Sequence, residues 1–502
     1  MKVRLFRPVF TSVLVAIVVS SLLGCDLIKL PQVQGALATL TASAGNQATA
    51  APKRTISGKA TAAGKATVAV KATAEGEATA EDSATATPKA TTASKATAVA
   101  KVTAKPKASA TPELVTQGLQ LLEQGFGQKD QQVAYGMVIE NPGDTALVDS
   151  QYQVTIYDAE GTVLDTGQGY LALVLAGQKL GIAGSAYLNE GQVADMIEIV
   201  LESGEAAETD FNAPITTDQV IYNEDEYISV ALGLVSNPFD LEVGNVDVWG
   251  IAYDAAGNII GGGNNTLNFI TAGSSSGIAL SITSKGTVAR VEFSAALANS
   301  TPWDDSSDRV GVEQVTLGNQ GFGQKDTQVA YGALIQNASA DSAAENIYLH
   351  ITFFADNGDV VAVEDNYLQV ILPSETQAIA GPTYLPEGVT VGGIDIQYRV
   401  NLMVPVSDLP SLTSENVNYL DDDYSPKVTG QIVNPYDIKL ENVQVVVIAY
   451  DADGAIIGGG AGYIEFISAG KKAAVEIYLT ASGIPDSLEM YATVNQLSDL
   501  TQ

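Results

Sequence analysis

The feature that most constrains the fold of this chain is a tandem duplication of its C-terminal part. The segment QGFGQKDQQVAYG at 124–136 returns at 320–332 with one change, and NPFD at 237–240 returns as NPYD at 434–437. The copies lie 196 and 197 residues apart, so a unit of that length has been duplicated. The fold must therefore be one that can be repeated along the chain.

Each repeat unit is itself divided into two related halves, which we name A and B in the first unit and A′ and B′ in the second. A polar residue ends an alternating apolar run once in every half: Asn141, Asn237, Asn337 and Asn434. Apolar residues alternate in runs such as Val230, Leu232 and Leu234, which is typical of half-buried strands. A quarter of the region 113–502 is about 97 residues, the size of an immunoglobulin-like sandwich.

The sequence therefore predicts an all-β fold of four tandem immunoglobulin-like β-sandwiches in an ABA′B′ arrangement. The expected boundaries are 113–210 for A, 211–309 for B, 310–410 for A′ and 411–502 for B′. A Tyr-Asp-x-x-Gly motif between apolar runs predicts a hairpin turn, with Asp bonding to nearby backbone and Gly adopting positive φ.

Sandwiches B and B′ also resemble a known family. The order Gly-x-Val-x-Asn, apolar strand, Tyr-Asp-x-x-Gly, Ile-x-Gly, Ala-Gly is similar to the FxLYD domains of bacterial and archaeal surface proteins. The motifs lie at 233–237, 246–257, 260–263 and 272–273 in B, and at 430–434, 443–454, 457–460 and 469–470 in B′. A and A′ match the pattern less closely. The resemblance implies an extracytoplasmic, immunoglobulin-like sandwich and supplies no catalytic residues.

The N-terminus resembles the signal peptide of a bacterial lipoprotein. Lys2, Arg4 and Arg7 precede an apolar run at 9–23, which is too short for a stable membrane-spanning helix. The run ends in Leu-Leu-Gly-Cys, and Cys25 is the only cysteine of the chain. The resemblance implies cleavage after residue 24 and acylation of Cys25 with fatty acids such as palmitate, since stable anchoring takes more than one acyl chain.

Residues 25–112 form the predicted lipidated N-terminus and a disordered linker. Short Lys-Ala-Thr units recur in it without an apolar face to bury. A flexible coil of this length spans roughly 50 Å. A plain spacer is the favoured interpretation, while adhesion to anionic polymer or lipid and O-glycosylation of the threonines are open alternatives.

Charge and rare residues exclude several functions. The whole chain has a net charge of −33, but region 113–502 alone has a net charge of −42, with 11 Lys and Arg against 53 Asp and Glu. Such a surface disfavours nucleic acid, which is bound through clustered basic residues. One Cys and one His exclude intramolecular disulfides and a metal centre of several histidines.

Acidic clusters near the predicted module junctions are candidate calcium ligands, because Ca²⁺ is bound by several carboxylate oxygens. The candidates are Asp225, Glu226, Asp304, Asp305, Asp421, Asp422 and Asp423. Their spacing matches no EF-hand loop, so solvated acidic surface is the favoured interpretation. No other cofactor is expected.

Two further features have competing interpretations. The repeated QGFGQKD segment contains Phe126 and Lys129 in the first copy and Phe322 and Lys325 in the second, and these residues are candidates for contact with a partner. The favoured alternative is a structural role, with the two copies alike only because the duplication is young. His350 lies in an alternating strand without a marked nucleophile, and we interpret it as a solvated strand residue rather than a catalytic one.

Together these observations predict a lipid-anchored extracytoplasmic protein whose body is exposed at the cell surface or in the periplasm. It is expected to be a binding or structural array of the cell envelope, not an enzyme. Its expected partners are membrane lipid through Cys25 and an envelope polymer or protein, with no nucleic acid. The alternatives are a glycosidase with paired carboxylates and a solute-binding lipoprotein.

Overall fold

The structure is a computed structural model that describes residues 118–209, 211–299, 310–406, 409–422 and 425–500. The predicted signal peptide, Cys25 and the linker lie outside the described residues, as do Asp304, Asp305 and Asp423. All described residues belong to one compact unit. Within these ranges, no helix has the length and apolar character needed to span a membrane.

The first repeat unit contains thirteen strands. Sandwich A has β1 (Gln120–Lys129), β2 (Gln132–Glu140), β3 (Ala146–Tyr157), β4 (Val163–Val174), β5 (Lys179–Tyr187), β6 (Met196–Glu202) and β7 (Glu205–Ala207). Sandwich B has β8 (Thr216–Asn223), β9 (Ser229–Ser236), β10 (Val243–Tyr253), β11 (Ile259–Ile270), β12 (Ser275–Ser284) and β13 (Arg290–Leu297).

The second repeat unit has the same order of strands. Sandwich A′ has β14 (Val315–Lys325), β15 (Gln328–Asn337), β16 (Ser342–Phe354), β17 (Val360–Ile371), β18 (Thr376–Tyr384) and β19 (Gly393–Pro405). Sandwich B′ has β20 (Thr413–Leu420), β21 (Lys427–Val433), β22 (Leu440–Tyr450), β23 (Ile456–Ile467), β24 (Lys472–Tyr478), β25 (Thr480–Ala481) and β26 (Ser487–Thr493). Short 3₁₀ turns lie at Val312–Gln314 and Leu497–Leu500.

One topology is used four times. The strands are ordered β1-β2-β5 and β4-β3-β6 in A, β14-β15-β18 and β17-β16-β19 in A′, and β20-β21-β24 and β23-β22-β26 in B′. In B the equivalent sets β8-β9-β12 and β11-β10-β13 are joined by pairing of β11 with β12 into one six-stranded sheet. All pairings are antiparallel, with β7 added to β3 and β25 added to β23. The all-β array of immunoglobulin-like sandwiches predicted from the sequence is therefore confirmed.

The core of each sandwich lies between its two sheets. Met137 lies in the core of A, Ile270 in that of B and Phe353 in that of A′, and each is among the largest fully buried side chains. In B′, the alternating residues Val443, Val445 and Val447 are fully buried. Complete burial of such a side chain contributes roughly 1.5–3 kcal/mol, which is why the alternation fixes the inward face of each strand.

The four asparagines seen in the sequence are buried corner residues with one shared pattern of hydrogen bonds. In A, the Asn141 side-chain amide donates to the carbonyls of Thr145, Val174 and Leu175 at 2.8–3.1 Å, and its oxygen accepts from the Gly143 amide. The same four bonds recur at Asn237, Asn337 and Asn434. In each sandwich, the asparagine follows the second strand and its side-chain amide satisfies carbonyls at the end of the fourth strand. It therefore ties the loop after the second strand to the loop after the fourth.

The Tyr-Asp-x-x-Gly motif forms the predicted hairpin turn. In B, the Asp254 carboxylate accepts from the amides of Ala256 and Asn258, and Gly257 has φ of 86°. A register shift lies beside the turn, between Ala252 and Tyr253. The turn therefore needs a residue that tolerates positive φ at its fourth position, and glycine supplies it.

Sandwiches A and B pack together through sheet faces lined with glycine. A Cβ added to Gly125 would lie 2.3 Å from the Ile259 carbonyl oxygen, and one on Gly127 would lie 1.9 Å from the Ile260 carbonyl oxygen. Gly136 and Gly181 on the same sheet face the Ile251 side chain. Backbone of A thus approaches backbone of B too closely for any side chain between them.

The second unit repeats this packing. Added Cβ atoms on Gly321 and Gly323 would lie 2.4 Å and 1.7 Å from the carbonyl oxygens of Ile456 and Ile457. A small apolar cluster between the sandwiches contains the buried residues Ala378, Ala380, Val446, Ile448, Tyr450 and Ile456. Each repeat unit is therefore one tightly packed pair of sandwiches.

Candidate ligand-binding cleft

A cleft of about 1040 Å³ opens where sandwiches B, A′ and B′ meet. Sandwich B contributes 222–225, Ile228, Val230, Leu232 and Ala279; A′ contributes Gln328, 361–364, 382–384 and Pro386; B′ contributes 459–461, Tyr478 and Thr480. Most of these side chains are apolar or aromatic, with a few polar groups among them. A concave, largely apolar site with few polar groups is the usual form of a small-molecule site.

Glu364 is the polar group with the most unusual environment in the cleft. Burial raises the pKa of its carboxyl to about 7; a hydrogen bond from Thr383 partly offsets this, and the neighbouring Asp365 charge adds to it. No Lys, Arg or His among the described residues pairs with this carboxylate. A carboxyl group that is costly to ionise and has no cationic partner marks a candidate functional position.

Three tyrosines stand around the cleft, one from each sandwich. Tyr384 and Tyr478 are exposed, and Tyr222 is half-buried. Tyr384 accepts a hydrogen bond from the Gln328 amide at 3.3 Å. Exposed aromatic rings beside a carboxylate offer both apolar surface and the negative ring face that attracts cations.

A second cavity, of about 750 Å³, lies between A′ and the C-terminal segment of B′. Glu345 lines it, and one of its carboxylate oxygens accepts a hydrogen bond from the Leu497 amide at 3.1 Å. Its acidic group is thus already used to hold the C-terminal segment. The larger cleft is the better candidate site because its Glu364 has no such backbone partner.

His350 lies where B and A′ pack against each other. It is buried, with 5% of its surface exposed. The interpretation of His350 as a solvated strand residue is therefore wrong. Its face of A′ is covered by β12 of B, and its Nε2 lies 2.8 Å from the Gly277 carbonyl oxygen. Its Nδ1 lies 2.8 Å from Asp365 Oδ1, while the Gly277 amide donates to Thr352 Oγ1 at 2.9 Å.

The electrostatic environment of His350 favours its charged form. Burial lowers the pKa, but the hydrogen bond and charge of Asp365, the Gly277 carbonyl and the charge of Asp395 together raise it above the ordinary value. Geometry gives the same answer, because both ring nitrogens face acceptors. Only an imidazolium donates from both nitrogens at once.

Gln397 adds a second polar contact between B and A′. Its side-chain oxygen accepts from the Thr271 amide and hydroxyl at 3.1 and 3.0 Å, and its side-chain nitrogen donates to the Ser275 carbonyl at 2.9 Å. Arg399 Nε lies 3.4 Å from Glu242 Oε1. The junction between the two repeat units thus contains several polar contacts.

The repeated QGFGQKD segment lies at the packing surface within each unit. Phe126 and Phe322 are half-buried and pack against the cores of A and A′. Lys129 donates to the Glu226 carbonyl at 2.9 Å and so connects A to B, and Lys325 ends the equivalent strand β14. The glycines between them face the neighbouring sandwich. A contact of Phe126, Lys129, Phe322 or Lys325 with an external partner stays a prediction.

The candidate calcium residues are dispersed. The Asp225 carboxylate accepts from the amides of Tyr227 and Ile228 and caps a turn, and Asp422 accepts from the Ser425 amide. Asp421 accepts a hydrogen bond from the Tyr419 hydroxyl. Within the parts of the chain that the structure describes, no three His, Cys, Asp or Glu residues are grouped so that they could hold a metal ion.

Comparison with known proteins gives no family assignment. No protein-family model matches the chain, and no curated protein matches it. Among solved structures, the native conformation of E. coli alpha-2-macroglobulin is similar with 10% sequence identity and a TM-score of 0.11. That similarity covers 75% of this chain and 27% of the macroglobulin. The resemblance to FxLYD domains stays a prediction.

Sequence reasoning did not find the cleft, because its residues come from three sandwiches. One signal was nevertheless present in the comparison of the copies. In strand register, Glu364 of A′ corresponds to Gly167 of A, and the His350–Asp365 pair corresponds to Gln153 and Gln168. Of these differences, the His350–Asp365 pair lies on the face of A′ that contacts the first repeat unit.

Proposed function

We propose that this protein is a lipid-anchored, extracytoplasmic binding protein of the cell envelope. In this proposal, Cys25 attaches the chain to the membrane, the linker spaces the body from it, and sandwiches B, A′ and B′ form the cleft. The observation that carries the proposal is the cleft of about 1040 Å³ with a carboxyl group in its wall that has no cationic partner among the described residues. The FxLYD-like motifs of B and B′ support an extracytoplasmic location.

The packing of the sandwiches supports a binding role. Close backbone contacts inside each unit, and the hydrogen bonds of His350 and Gln397 between units, fix the three walls relative to one another. A preformed site loses little conformational entropy when a ligand binds. Rigid walls are therefore what a binding cleft requires.

A cleft-filling variant tests the binding function. Ala461 is an exposed residue of β23 whose side chain lines the cleft, so Ala461→Trp occupies the cleft without disturbing a core. Thermal melting of the intact chain is measured against a panel of envelope amines and neutral glycans. We expect at least one class to raise the melting temperature of the wild type but not of Ala461→Trp. Equal shifts in both proteins, or none in either, would contradict a binding function of the cleft.

The anchor is tested separately by labelling cells with a radioactive fatty acid. The Cys25→Ser variant is expected to lose all label and to leave the membrane fraction, because Cys25 is the only thiol of the chain. Ser20→Ala, in the apolar run of the same signal, is the matched control and should be labelled like the wild type. Unchanged labelling of Cys25→Ser would show that the chain is not a lipoprotein.

A further inference from the structure

The charges around the cleft define the kind of ligand that it suits. Among the described residues that line it, Glu224, Asp225 and Glu364 are acidic, and none is Lys, Arg or His. Two basic side chains lie beside the lining: Lys427, whose Nζ lies 4.9 Å from the Tyr478 ring centre, and Lys129, whose charge acts on the Asp225 carboxylate. Lys427 also pairs with Glu476 at 2.8 Å, so its charge is compensated. Glu364 therefore remains an acidic group of the cleft without a cationic partner among the described residues.

The environment of Glu364 shows where in the cleft a positively charged group is favoured. Its side chain is half-buried and its carboxylate accepts a hydrogen bond from Thr383, with Asp365 as its charged neighbour and Tyr331 within electrostatic reach. Loss of hydration without a compensating cation is costly for a carboxylate. A positively charged group placed in the cleft recovers that cost, whereas an anion is repelled.

The other walls are suited to an apolar body. Ile228, Val361 and Pro382 present apolar surface, and Tyr222, Tyr384 and Tyr478 present aromatic rings. Aromatic rings stabilise an adjacent ammonium group by cation–π attraction. A polar sugar would leave this aliphatic surface unused.

We propose that the cleft binds a small organic cation whose ammonium group pairs with Glu364 and whose apolar part packs against the tyrosines and Ile228. This inference rests on the binding function proposed above and names its ligand class. Glu364 acts as the specificity-determining residue, and Glu224 and Asp225 attract cations to the entrance. Asp225 is already held by backbone hydrogen bonds, so it is not expected to move on binding.

Calorimetric titration of the intact chain with phenyltrimethylammonium tests the ligand class, because this probe has a permanent charge and an aromatic body. Benzenesulfonate and benzyl alcohol are the anionic and neutral comparisons, and chitobiose is the neutral glycan. We expect binding of the cation alone. Glu364→Gln should weaken it at least about tenfold, as expected when one partner of a partly buried charge pair is removed. The control Glu387→Gln, beside Pro386 but outside the lining, should bind like the wild type.

The pH dependence provides an independent readout. Because the pKa of Glu364 is raised to about 7, the affinity of the wild type should rise about tenfold from pH 6 to pH 8 as the carboxyl ionises. The Glu364→Gln variant should show a flat profile, which separates this effect from the titration of His350. Ala461→Trp should abolish binding at both pH values.

Each other outcome overturns the ligand class. Cation binding that survives both Glu364→Gln and Ala461→Trp would place the probe elsewhere on the acidic surface. No cation binding at millimolar probe would show that the cleft does not take ammonium ligands. If chitobiose binds instead and Ala461→Trp removes that binding, the cleft is a binding site for a neutral ligand. In that case the proposed function stands and the ligand class is wrong.

Discussion

Replacing Gly127 with valine should destabilise the first repeat unit by about 4 kcal/mol, near the upper end for a single substitution. Even the first added carbon would lie 1.9 Å from the Ile260 carbonyl oxygen and 2.5 Å from the Lys285 amide nitrogen. Both neighbours are backbone atoms of B, so no rotamer change relieves the clash. The two sheets must separate, and the apolar contacts between A and B are then lost.

Tryptophan fluorescence measures this effect during urea unfolding. Trp249 is 6% exposed and packs in the core shared by A and B, so its emission should shift to longer wavelength when the pair separates. Gly323→Val tests the equivalent contact in the second unit, where the added carbon would lie 1.7 Å from the Ile457 carbonyl oxygen. That variant should be destabilised in the same way but leave the Trp249 emission of the folded protein unchanged.

Gly393→Val is the matched control for both glycine variants. Gly393 begins β19, has no heavy atom within 4 Å of an added Cβ and does not require positive φ. Valine is well tolerated in strands, so its unfolding curve should match that of the wild type. A loss of stability in Gly393→Val equal to that in Gly127→Val would show that glycine loss in a strand, and not the close contact, is responsible.

The sequence predicts the four sandwiches because their determinants are local. Alternating apolar residues, Asn141 and its three equivalents, and the Asp–Gly turns each act within one sandwich, so period and spacing are enough to recognise them. The glycines at 125 and 127 are visible in the sequence too. The reason that glycine is required there is not visible in the sequence, because it depends on which sheet of the neighbouring sandwich packs against these residues.

The cleft lies beyond sequence reasoning for the same physical reason. Tyr222, Glu364 and Tyr478 are far apart in the chain and meet only because β12 of B covers one face of A′ while A′ also packs on B′. Alternation assigns His350 to the outward face of A′, which predicts a solvated side chain. Packing of a second sandwich on that face makes it buried. Whether such residues are exposed or buried is decided only by the packing between sandwiches.

The junction between the units has its own sequence requirements. A Cβ on Gly277 would lie 2.6 Å from the Thr352 side chain, so glycine is needed where β12 meets A′. In strand register the equivalent residue of B′ is Ala474. The corresponding face of B′ is therefore not shaped for the same contact, although the two halves share one fold.

The charge of His350 should make this junction pH-dependent. Its pKa is raised in the folded protein above the unfolded value of about 6.5. Its contribution to stability is thus fully present below pH 6.5 and is lost as the pH rises through the folded pKa. Asp365 is 57% exposed, so solvent screens the ion pair. The hydrogen bond to the Gly277 carbonyl is buried and less screened, and bonds to charged groups contribute about 2 kcal/mol.

Proton NMR observes this titration directly, because His350 is the only histidine of the chain. The pKa read from its ring resonance should lie above 6.5 and should fall in Asp365→Asn, which removes the carboxylate charge. Glu364→Gln is the control for the carboxyl group that titrates in the same range, and it should leave the histidine titration well above 6.5. A wild-type pKa at or below 6.5 would show that the junction does not stabilise the charged imidazolium.

Stability measurements then test whether protonation of His350 stabilises the packing of B on A′. The His350→Gln variant introduces the residue that A has at this position, Gln153, and it has no charge to lose. The free energy of unfolding of the wild type should exceed that of His350→Gln by about 2 kcal/mol at pH 5.5, where the imidazolium donates both hydrogen bonds. The difference should shrink toward pH 8.5, because a neutral imidazole donates only one of them. Taking the difference between the two proteins removes the pH dependence that the many carboxylates of the body contribute to both. A difference that stays constant across this pH range would mean that His350 stabilises the junction by its shape, and that its proton has no part in it.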